Sequence, residues 1–272
     1  MSILVAGCCT VDQIVYVDSL PKSQDSLRID RSTFRLGGCA YNVAKAIGDC
    51  TFVSCCGKGL FADYVREQIM YESFEVCLPY HPQDNGYCLC LVEPDGQRSF
   101  IAYHGVEYKY DVDALYDLDA FDYTYVCGMD LEEDDSILDY LENVDTQVFF
   151  ACGPRLKCLD KNRIERILSF HPILHMNLKE LKEWTGLDLE NGMKSLYEKA
   201  SNIVIVSDGE NGSYAYDGSL HFVKSISLDC SDTTGAGDHH AGICLKCMNL
   251  GVDVDSMLKR ANDSCLELLK AR

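Results

Sequence analysis

The sequence predicts an α/β fold with a central, mostly parallel β-sheet covered by helices on both faces. In its second half, strand-like and helix-like segments alternate, as expected for parallel strands joined by crossover helices. A strong hairpin signal in the first half predicts that some strands are antiparallel. With 272 residues and 47% hydrophobic content, the chain can form one large α/β domain or two small ones. The strands expected in the second half are Tyr123–Cys127, Gln147–Ala151 and Ile203–Val206, and the helices are Lys161–Phe170, Lys179–Trp184, Met193–Ala200 and Val254–Ala271.

Charge and hydropathy argue against two classes of partner. The formal charge of −19 argues against nucleic acid or an anionic membrane as the main partner, although a local positive site is enough to hold ATP. No apolar run reaches 18 residues, so we expect no transmembrane helix. Residues 1–8 lack a basic segment and are interpreted as a first strand, not as a signal peptide.

The chain contains sixteen cysteines, and several occupy core positions in strand-like runs. Reduced thiols that act as small hydrophobic side chains explain this pattern, so we expect a cytoplasmic protein. Cys244 and Cys247 form a CxxC motif inside a predicted helix. Since no second pair lies at zinc spacing, core packing is the better interpretation.

The N-terminal segment Ile3–Cys8 is expected to be a short buried strand, and Asp12 follows it. Because open α/β sheets bind ligands at the carboxyl ends of their strands, Asp12 is a candidate binding residue; its alternative role is that of a turn residue. Residues 14–36 alternate loosely between apolar and polar side chains, which predicts antiparallel strands.

A double glycine, Gly37-Gly38, precedes a helical pattern with Asn42 near its start. The apolar residues Val43 and Ile47 fit one face of that helix. Both a ligand-binding turn and a glycine-capped loop explain this stretch, and the residues alone do not decide between them.

Two strand-like segments, Tyr87–Val92 and Gln97–Tyr103, flank the turn sequence Glu93-Pro94-Asp95-Gly96. Proline and glycine in these positions are typical of a β-hairpin. We therefore expect a β-hairpin over these residues. Another buried strand, Thr51–Cys56, lies upstream.

Two short polar motifs lie late in the chain. Asn177 and Glu180 stand at the start of a helix, where they also form a capping-box pattern. Ser207, Gly209 and Gly212 lie in a loop that leads into a hairpin with its turn at Asp217-Gly218. Each has an ordinary structural explanation on its own.

The segment Asp232–Asp238, which we call the glycine loop, reads Asp-Thr-Thr-Gly-Ala-Gly-Asp and leads into an apolar helical run that ends near Gly251. Free N–H groups at a helix N-terminus form an anion site. An acid there fits catalysis if Asp238 takes a proton from a hydroxyl while the N–H groups of Gly235, Ala236 and Gly237 stabilise a transferring phosphoryl group. A turn capped by Asp238 is the alternative.

These motifs together resemble the ribokinase (PfkB) family of carbohydrate and nucleoside kinases. Five matches occur in the family's order between residues 12 and 238. The resemblance implies a ribokinase-like three-layer sandwich, with a small β-sheet lid from about residues 12–36 and 87–103, within a single domain spanning 1–272.

The resemblance also implies roles for individual residues. It implies that ATP is the co-substrate, that Glu180 holds Mg²⁺, and that a monovalent cation such as K⁺ binds near Asp232 and Thr234. Asp238 is then the catalytic base, with the backbone of Gly235, Ala236 and Gly237. The implied substrate-binding residues are Asp12, Gly37, Gly38 and Asn42, and the nucleotide-binding residues are Asn177, Ser207, Gly209 and Gly212.

The expected function is transfer of the γ-phosphate of ATP to a hydroxyl of a small neutral sugar or nucleoside. A neutral substrate is favoured because the stretch Cys39-Ala40-Tyr41 lacks the lysine found in many relatives that act on sugar phosphates. Arg31 and Arg35, on one face of a lid strand, leave a phosphorylated substrate as the alternative.

Two departures favour a non-catalytic sugar or nucleotide sensor as the competing function. Ala151 stands where many members have aspartate, and the sequence ends at Arg272, before a loop that wraps the nucleotide in many members. The apolar run Cys88–Val92 predicts a homodimer formed through the lid.

Overall fold

Two β-sheets and the helices that cover the larger one make up the computed structural model, which describes residues 2–29, 31–118, 120–132, 135–228, 230 and 232–271. Met1 and Arg272, the limits of the expected domain, lie outside the described residues. The strands are β1 (Ile3–Ala6), β2 (Thr10–Tyr16), β3 (Arg31–Gly37), β4 (Thr51–Val53), β5 (Glu75–Cys77), β6 (Tyr87–Val92), β7 (Arg98–Tyr103), β8 (Tyr123–Cys127), β9 (Gln147–Ala151), β10 (Ile173–Asn177), β11 (Val204–Ser207), β12 (Ser213–Tyr216) and β13 (Leu220–Val223). The helices are α1 (Cys39–Ile47), α2 (Leu60–Ile69), α3 (Val112–Tyr116), α4 (Ser136–Leu141), α5 (Lys161–Ser169), α6 (Leu178–Thr185), α7 (Leu189–Ala200), α8 (Ala236–Asn249) and α9 (Val254–Lys270).

The central sheet has the strand order β13-β12-β11-β10-β9-β8-β1-β4-β5. From β11 to β5 all neighbours are parallel, and only β12 and β13 at one edge are antiparallel. This arrangement confirms the predicted mostly parallel sheet.

Two apolar cores lie on opposite faces of the central sheet, because successive strand residues point to opposite sides. In β1, Ile3 and Val5 belong to one core, and Leu4 and Ala6 belong to the other. The first core packs under α1, α2, α8 and α9, and the second under α3 to α7. The fold therefore has three layers.

The second sheet, which we call the lid sheet, has the order β3-β2-β6-β7. Strand β2 pairs antiparallel with β3 and parallel with β6, and β6 and β7 form the predicted hairpin. Its buried apolar cluster consists of Ile14, Cys90 and Val92. The lid strands expected within residues 12–36 and 87–103 thus combine into one sheet.

The structure differs from the sequence-based expectations at four elements. Strands β5 and β10 and helices α3 and α4 were not predicted, whereas β8 and β9 have the expected bounds. Asp12 was expected in the connection after the first strand but lies inside β2, because the chain turns at Gly7 and pairs with β3 and β6 from Thr10 onward.

In the described part of the chain, none of the helices combines the length and apolar character needed to span a bilayer. All sixteen cysteines carry free thiols, and many are buried. Cys244 and Cys247 are buried in α8, as core packing predicts.

Candidate active site

The glycine loop leads directly into α8. Gly235 is the N-cap of that helix and has the left-handed backbone angle φ of 73°, which glycine adopts without strain. A Cβ atom at Gly235 would lie 3.2 Å from the side-chain nitrogen of Asn42, whereas a Cβ at Gly237 would meet nothing within 4 Å. The first N–H groups of α8 lack partners within the helix, so this end is suited to an anion.

Asp238 lies in the first turn of α8 and contacts α1. The Asn42 side-chain nitrogen donates a hydrogen bond of 2.8 Å to Asp238 Oδ2. This contact depends on close packing of the two helices at Gly242, where a Cβ atom would come within 2.7 Å of the Ala46 side chain. Burial raises the pKa of Asp238, while hydrogen bonds from Asn42 and Cys39 act in the opposite direction.

Asp12 faces the same region from the lid sheet. It is paired across the strands with Arg35, whose Nε lies 3.7 Å from Asp12 Oδ2. Burial raises the pKa of Asp12; Arg35 opposes this effect and the charge of Asp238 adds to it. A cavity of about 550 Å³ is lined by Asp12, Arg35, Asn42 and Gly235, among others.

The double glycine brings the lid sheet close to the rest of the chain. A Cβ atom at Gly37 would overlap the carboxylate of Asp12, so this glycine makes room for that side chain. Gly38 has φ of 102°, and a Cβ there would lie 2.5 Å from the Cys8 carbonyl oxygen. Both glycines thus have packing reasons, and their direct contact with a substrate stays a prediction.

A second cavity of about 380 Å³ lies on the other side of the glycine loop. All four predicted nucleotide-binding residues line this cavity, and so does Gly237 of the glycine loop. A small space of about 90 Å³ adjoins the second cavity, with which it shares Asn177, Ser207 and Gly237, and it is also lined by Asp238 and Glu180. The residues that line the second cavity include Asn177, Ser207, Gly209 and Gly212.

Asn177 and Glu180 form the predicted capping box at the start of α6. The Glu180 N–H donates to Asn177 Oδ1 at 2.8 Å, and the Asn177 N–H donates to Glu180 Oε2 at 2.9 Å. Burial raises the pKa of Glu180, and the charge of Asp238 adds to this effect. A hard carboxylate group held beside a second acid fits the oxygen ligands that Mg²⁺ prefers, so Glu180 is a suitable partner for that ion.

An arginine of the lid sheet reaches the glycine loop. Arg98 Nη1 lies 2.7 Å from Asp232 Oδ1, and it also donates a hydrogen bond to the Thr234 hydroxyl. The Thr234 N–H donates to the same Asp232 Oδ1 at 3.0 Å. Sequence reasoning missed Arg98, because nothing in the strand pattern indicates which loop a lid residue will contact.

Cys39 was also missed. It is the first residue of α1, and its side chain contacts Asp238 in the small space that both residues line. Its position directly after the double glycine was the available signal.

His240 lines the second cavity and also reaches into the protein core. Its Nδ1 lies 2.9 Å from Nε2 of His175 on β10 and 3.6 Å from the sulfur of Cys244. All three residues are buried. His240 therefore packs and hydrogen-bonds within the core.

The geometry thus defines two adjoining cavities separated by a helix N-terminus that carries an acid. The sequence matches the pfkB family carbohydrate kinases over residues 1–265. The chain therefore belongs to the pfkB carbohydrate kinase family.

Curated relatives match most of the chain. An uncharacterized sugar kinase, YegV, of Escherichia coli is 28% identical over 89% of this chain and 80% of its own length. A deoxyribokinase of Salmonella typhi is 25% identical over 96% of this chain and 90% of its own length. A nucleoside kinase of Methanothermobacter thermautotrophicus is 22% identical over 93% of this chain and 84% of its own length. Kinase activity on a carbohydrate or nucleoside is the activity that these relatives share by name.

Solved structures share the fold. Ribokinase from Thermotoga maritima superposes with a TM-score of 0.85 at 20% identity, covering 97% of this chain and 91% of that one. A putative ribokinase II from E. coli, in complex with ATP and Mg²⁺, superposes with a TM-score of 0.79 at 19% identity, covering 96% and 90%. The fold is therefore ribokinase-like.

Proposed function

We propose that this protein transfers the γ-phosphate of ATP to a hydroxyl group of a small neutral sugar or nucleoside. The observation that carries the proposal is the position of Asp238 at the end of the glycine loop: it lines a small space that adjoins the second cavity, and it accepts a hydrogen bond from Asn42, which lines the first. A substrate hydroxyl entering from one cavity and a terminal phosphate entering from the other would meet beside its carboxylate. Phosphoryl transfer depends mainly on such positioning and on charge stabilisation.

In this mechanism Asp238 accepts the proton of the attacking hydroxyl. Its hydrogen bond from Asn42 orients the carboxylate, and burial keeps its pKa above the ordinary value, which makes it a better proton acceptor. The N–H groups of Gly235, Ala236 and Gly237 would stabilise charge on the transferred group. Mg²⁺ supplies charge neutralisation of the phosphates when bound, and Glu180 would hold it.

The sugar would occupy the larger cavity, with Asp12 and Asn42 binding its hydroxyl groups and Gly37 and Gly38 allowing close approach. Carboxylate and amide groups are suitable partners for hydroxyls. The nucleotide would occupy the second cavity, beside Asn177. One solved structure of the same fold is a complex with ATP and Mg²⁺, which supports ATP as the co-substrate.

A neutral substrate is supported by the partners that Arg31 and Arg35 of strand β3 already have. Arg35 is paired with Asp12, and the guanidinium of Arg31 lies 4.5 Å from the centre of the Tyr16 ring. Both cations thus have partners within the lid sheet, so their presence does not call for a phosphate group on the substrate. The Asp12 carboxylate would also repel a phosphate on the substrate.

Four further features are also proposed. Binding of K⁺ near Asp232 and Thr234 stays a prediction. Equal kinase rates in potassium chloride and in tetramethylammonium chloride would contradict it. The free thiols support a reducing compartment, and so the cytoplasm. We also propose one domain over 1–272, and a homodimer through the lid sheet, whose Ile101 and Tyr103 are 59% and 61% exposed.

The test compares initial rates with ATP on ribose, 2-deoxyribose, fructose, a nucleoside and fructose 6-phosphate. On the best substrate, Asp238→Asn should lower kcat by about a hundredfold or more, the usual scale for loss of a general base. Asp263→Asn is the matched control, since Asp263 is an exposed partner of Lys259 on α9.

Near-normal turnover by Asp238→Asn would refute the assigned base. A clear preference for fructose 6-phosphate would refute the neutral substrate and point to Arg31 and Arg35. Binding of sugar and nucleotide without turnover on any substrate would favour the sensor.

A further inference from the structure

The Arg98 side chain links the lid sheet to the glycine loop. Arg98 is the first residue of β7, directly after the hairpin turn, and its guanidinium contacts both Asp232 and Thr234. The Arg98 and Asp232 side chains are only 14% and 22% exposed. A cleft lined by Gly96, Arg98 and Phe100 on one side and by Thr233 and Thr234 on the other shows that the hairpin overhangs the loop.

The pairing also changes the charge of the loop. Asp232 and Asp238 are two acids at the two ends of one seven-residue segment that is proposed to receive phosphates. An unpaired Asp232 carboxylate would repel a nearby phosphate, and a half-buried pair is screened less by salt than an exposed one. Arg98 makes the Asp232 end of the loop neutral.

The same contact fixes the shape of the loop. Asp232 Oδ1 pairs with the Arg98 guanidinium and also accepts a hydrogen bond from the Thr234 N–H. The arginine therefore fixes the position of the oxygen that closes the turn before Gly235. The first N–H groups of α8 follow this turn. Their direction therefore depends on a lid residue.

Stability alone does not account for this pair. Replacing a buried ion pair by apolar side chains is often neutral or stabilising. Within the part of the chain that is described, the Nε of Arg98 is buried without a hydrogen-bond partner, which adds a cost. A pair with such costs at the catalytic loop is more consistent with a functional role.

We infer that Arg98 is a positioning residue for phosphoryl transfer, which neutralises Asp232 and holds the glycine loop in the shape that receives the phosphate. The inference rests on the proposed kinase function for its kinetic consequence. Arg98 acts through Asp232 and not by contact with the substrate.

A double-mutant cycle tests this role. Arg98→Met should lower kcat/KM for ATP by about tenfold to a hundredfold, because misplacement of catalytic groups by about 1 Å has effects of that size. Asp232→Asn keeps the Oδ1 acceptor for the Thr234 N–H but removes the charge. The double variant Arg98→Met/Asp232→Asn should therefore recover about half of the logarithmic loss. No recovery would mean that Arg98 contacts the phosphates directly, which would overturn the inference.

A second measurement does not require activity. Hydrogen exchange of the amides in residues 234–237 should be about tenfold or more faster in Arg98→Met than in the parent protein. Arg163→Met is the matched control: it removes another half-buried ion pair, with Asp135, outside the active site, and should leave exchange in these residues unchanged. Unchanged exchange in Arg98→Met would overturn the inference even if the protein proves to be a kinase. Faster exchange in a protein without kinase activity would support the loop contact and refute only the proposed function.

Discussion

The buried imidazole of His240 should make the stability of the fold depend on pH in a defined direction. Burial lowers the pKa of His240 from 6.5 to about 4, with the charge of His239 acting the same way. Burial likewise lowers the pKa of its neighbour His175. Between the two pKa values of His240, the unfolded chain binds a proton at this residue that the folded protein does not bind. The contribution of neutral His240 to the free energy of unfolding is therefore fully present above pH 6.5 and is lost as the pH falls toward 4.

The size of the effect follows from the two pKa values. Linkage gives a loss of about 2 kcal/mol from His240 alone between about pH 7.5 and pH 5. This value applies because the residue is only 3% exposed, so solvent screening is small. His240→Phe keeps an aromatic ring but removes the proton-binding group. Between these two pH values, the free energy of unfolding of His240→Phe should therefore fall by about 2 kcal/mol less than that of the parent protein.

The assay is urea unfolding at both pH values, followed by circular dichroism and by the fluorescence of Trp184. The comparison uses the change with pH in each protein, because His240→Phe also leaves His175 without its partner at every pH. His221→Gln is the control of opposite sign. Hydrogen bonds and ion pairs with Asp255 and Asp217 raise the pKa of His221, so its removal should steepen the loss in acid. Equal pH dependence in the parent protein and His240→Phe would refute the reasoning.

Two further predictions concern the backbone and the assembly. Gly38→Ala should lower the free energy of unfolding by about 2 kcal/mol or more, because φ is 102° there and the new Cβ would meet the Cys8 carbonyl. Chemical unfolding should show no comparable loss for Gly237→Ala, because a Cβ atom at Gly237 has open space around it. An equal loss in both variants would contradict the packing argument. Light scattering at micromolar concentration should give a dimeric mass, and Ile101→Lys should convert it to a monomer while Phe222→Lys, an exposed residue outside the lid sheet, does not. A monomeric parent protein would rule out the dimer.

The strands that the sequence predicted correctly are those with continuous apolar runs. Tyr123–Cys127 and Gln147–Ala151 are buried on both faces, so their composition alone identifies them. Strand β10 has equal burial but contains His175, whose partner His240 is 65 positions away in the chain. The missed strand β5 has three residues at the sheet edge, too few for a pattern.

The candidate site divides in a similar way. Residues in local motifs, such as Asn177 with Glu180, could be identified because each motif is a turn or helix start that has its own sequence pattern. Arg98 could not, because its role depends on how the lid sheet is placed over the glycine loop. Alternation of side chains indicates which face of a strand a residue occupies but not what that face meets.

The lid sheet carries residues on both sides of the proposed reaction. Asp12 on β2 lines the cavity assigned to the sugar, and Arg98 on β7 holds Asp232 in the loop assigned to the phosphate. Strand β6 pairs with both β2 and β7, so backbone hydrogen bonds connect the two side chains through a single strand. A displacement of this sheet would therefore change the sugar contact and the charge of the glycine loop together. Under the proposed function, sugar binding at Asp12 would further stabilise the lid position in which Arg98 neutralises Asp232, and would therefore favour phosphate binding.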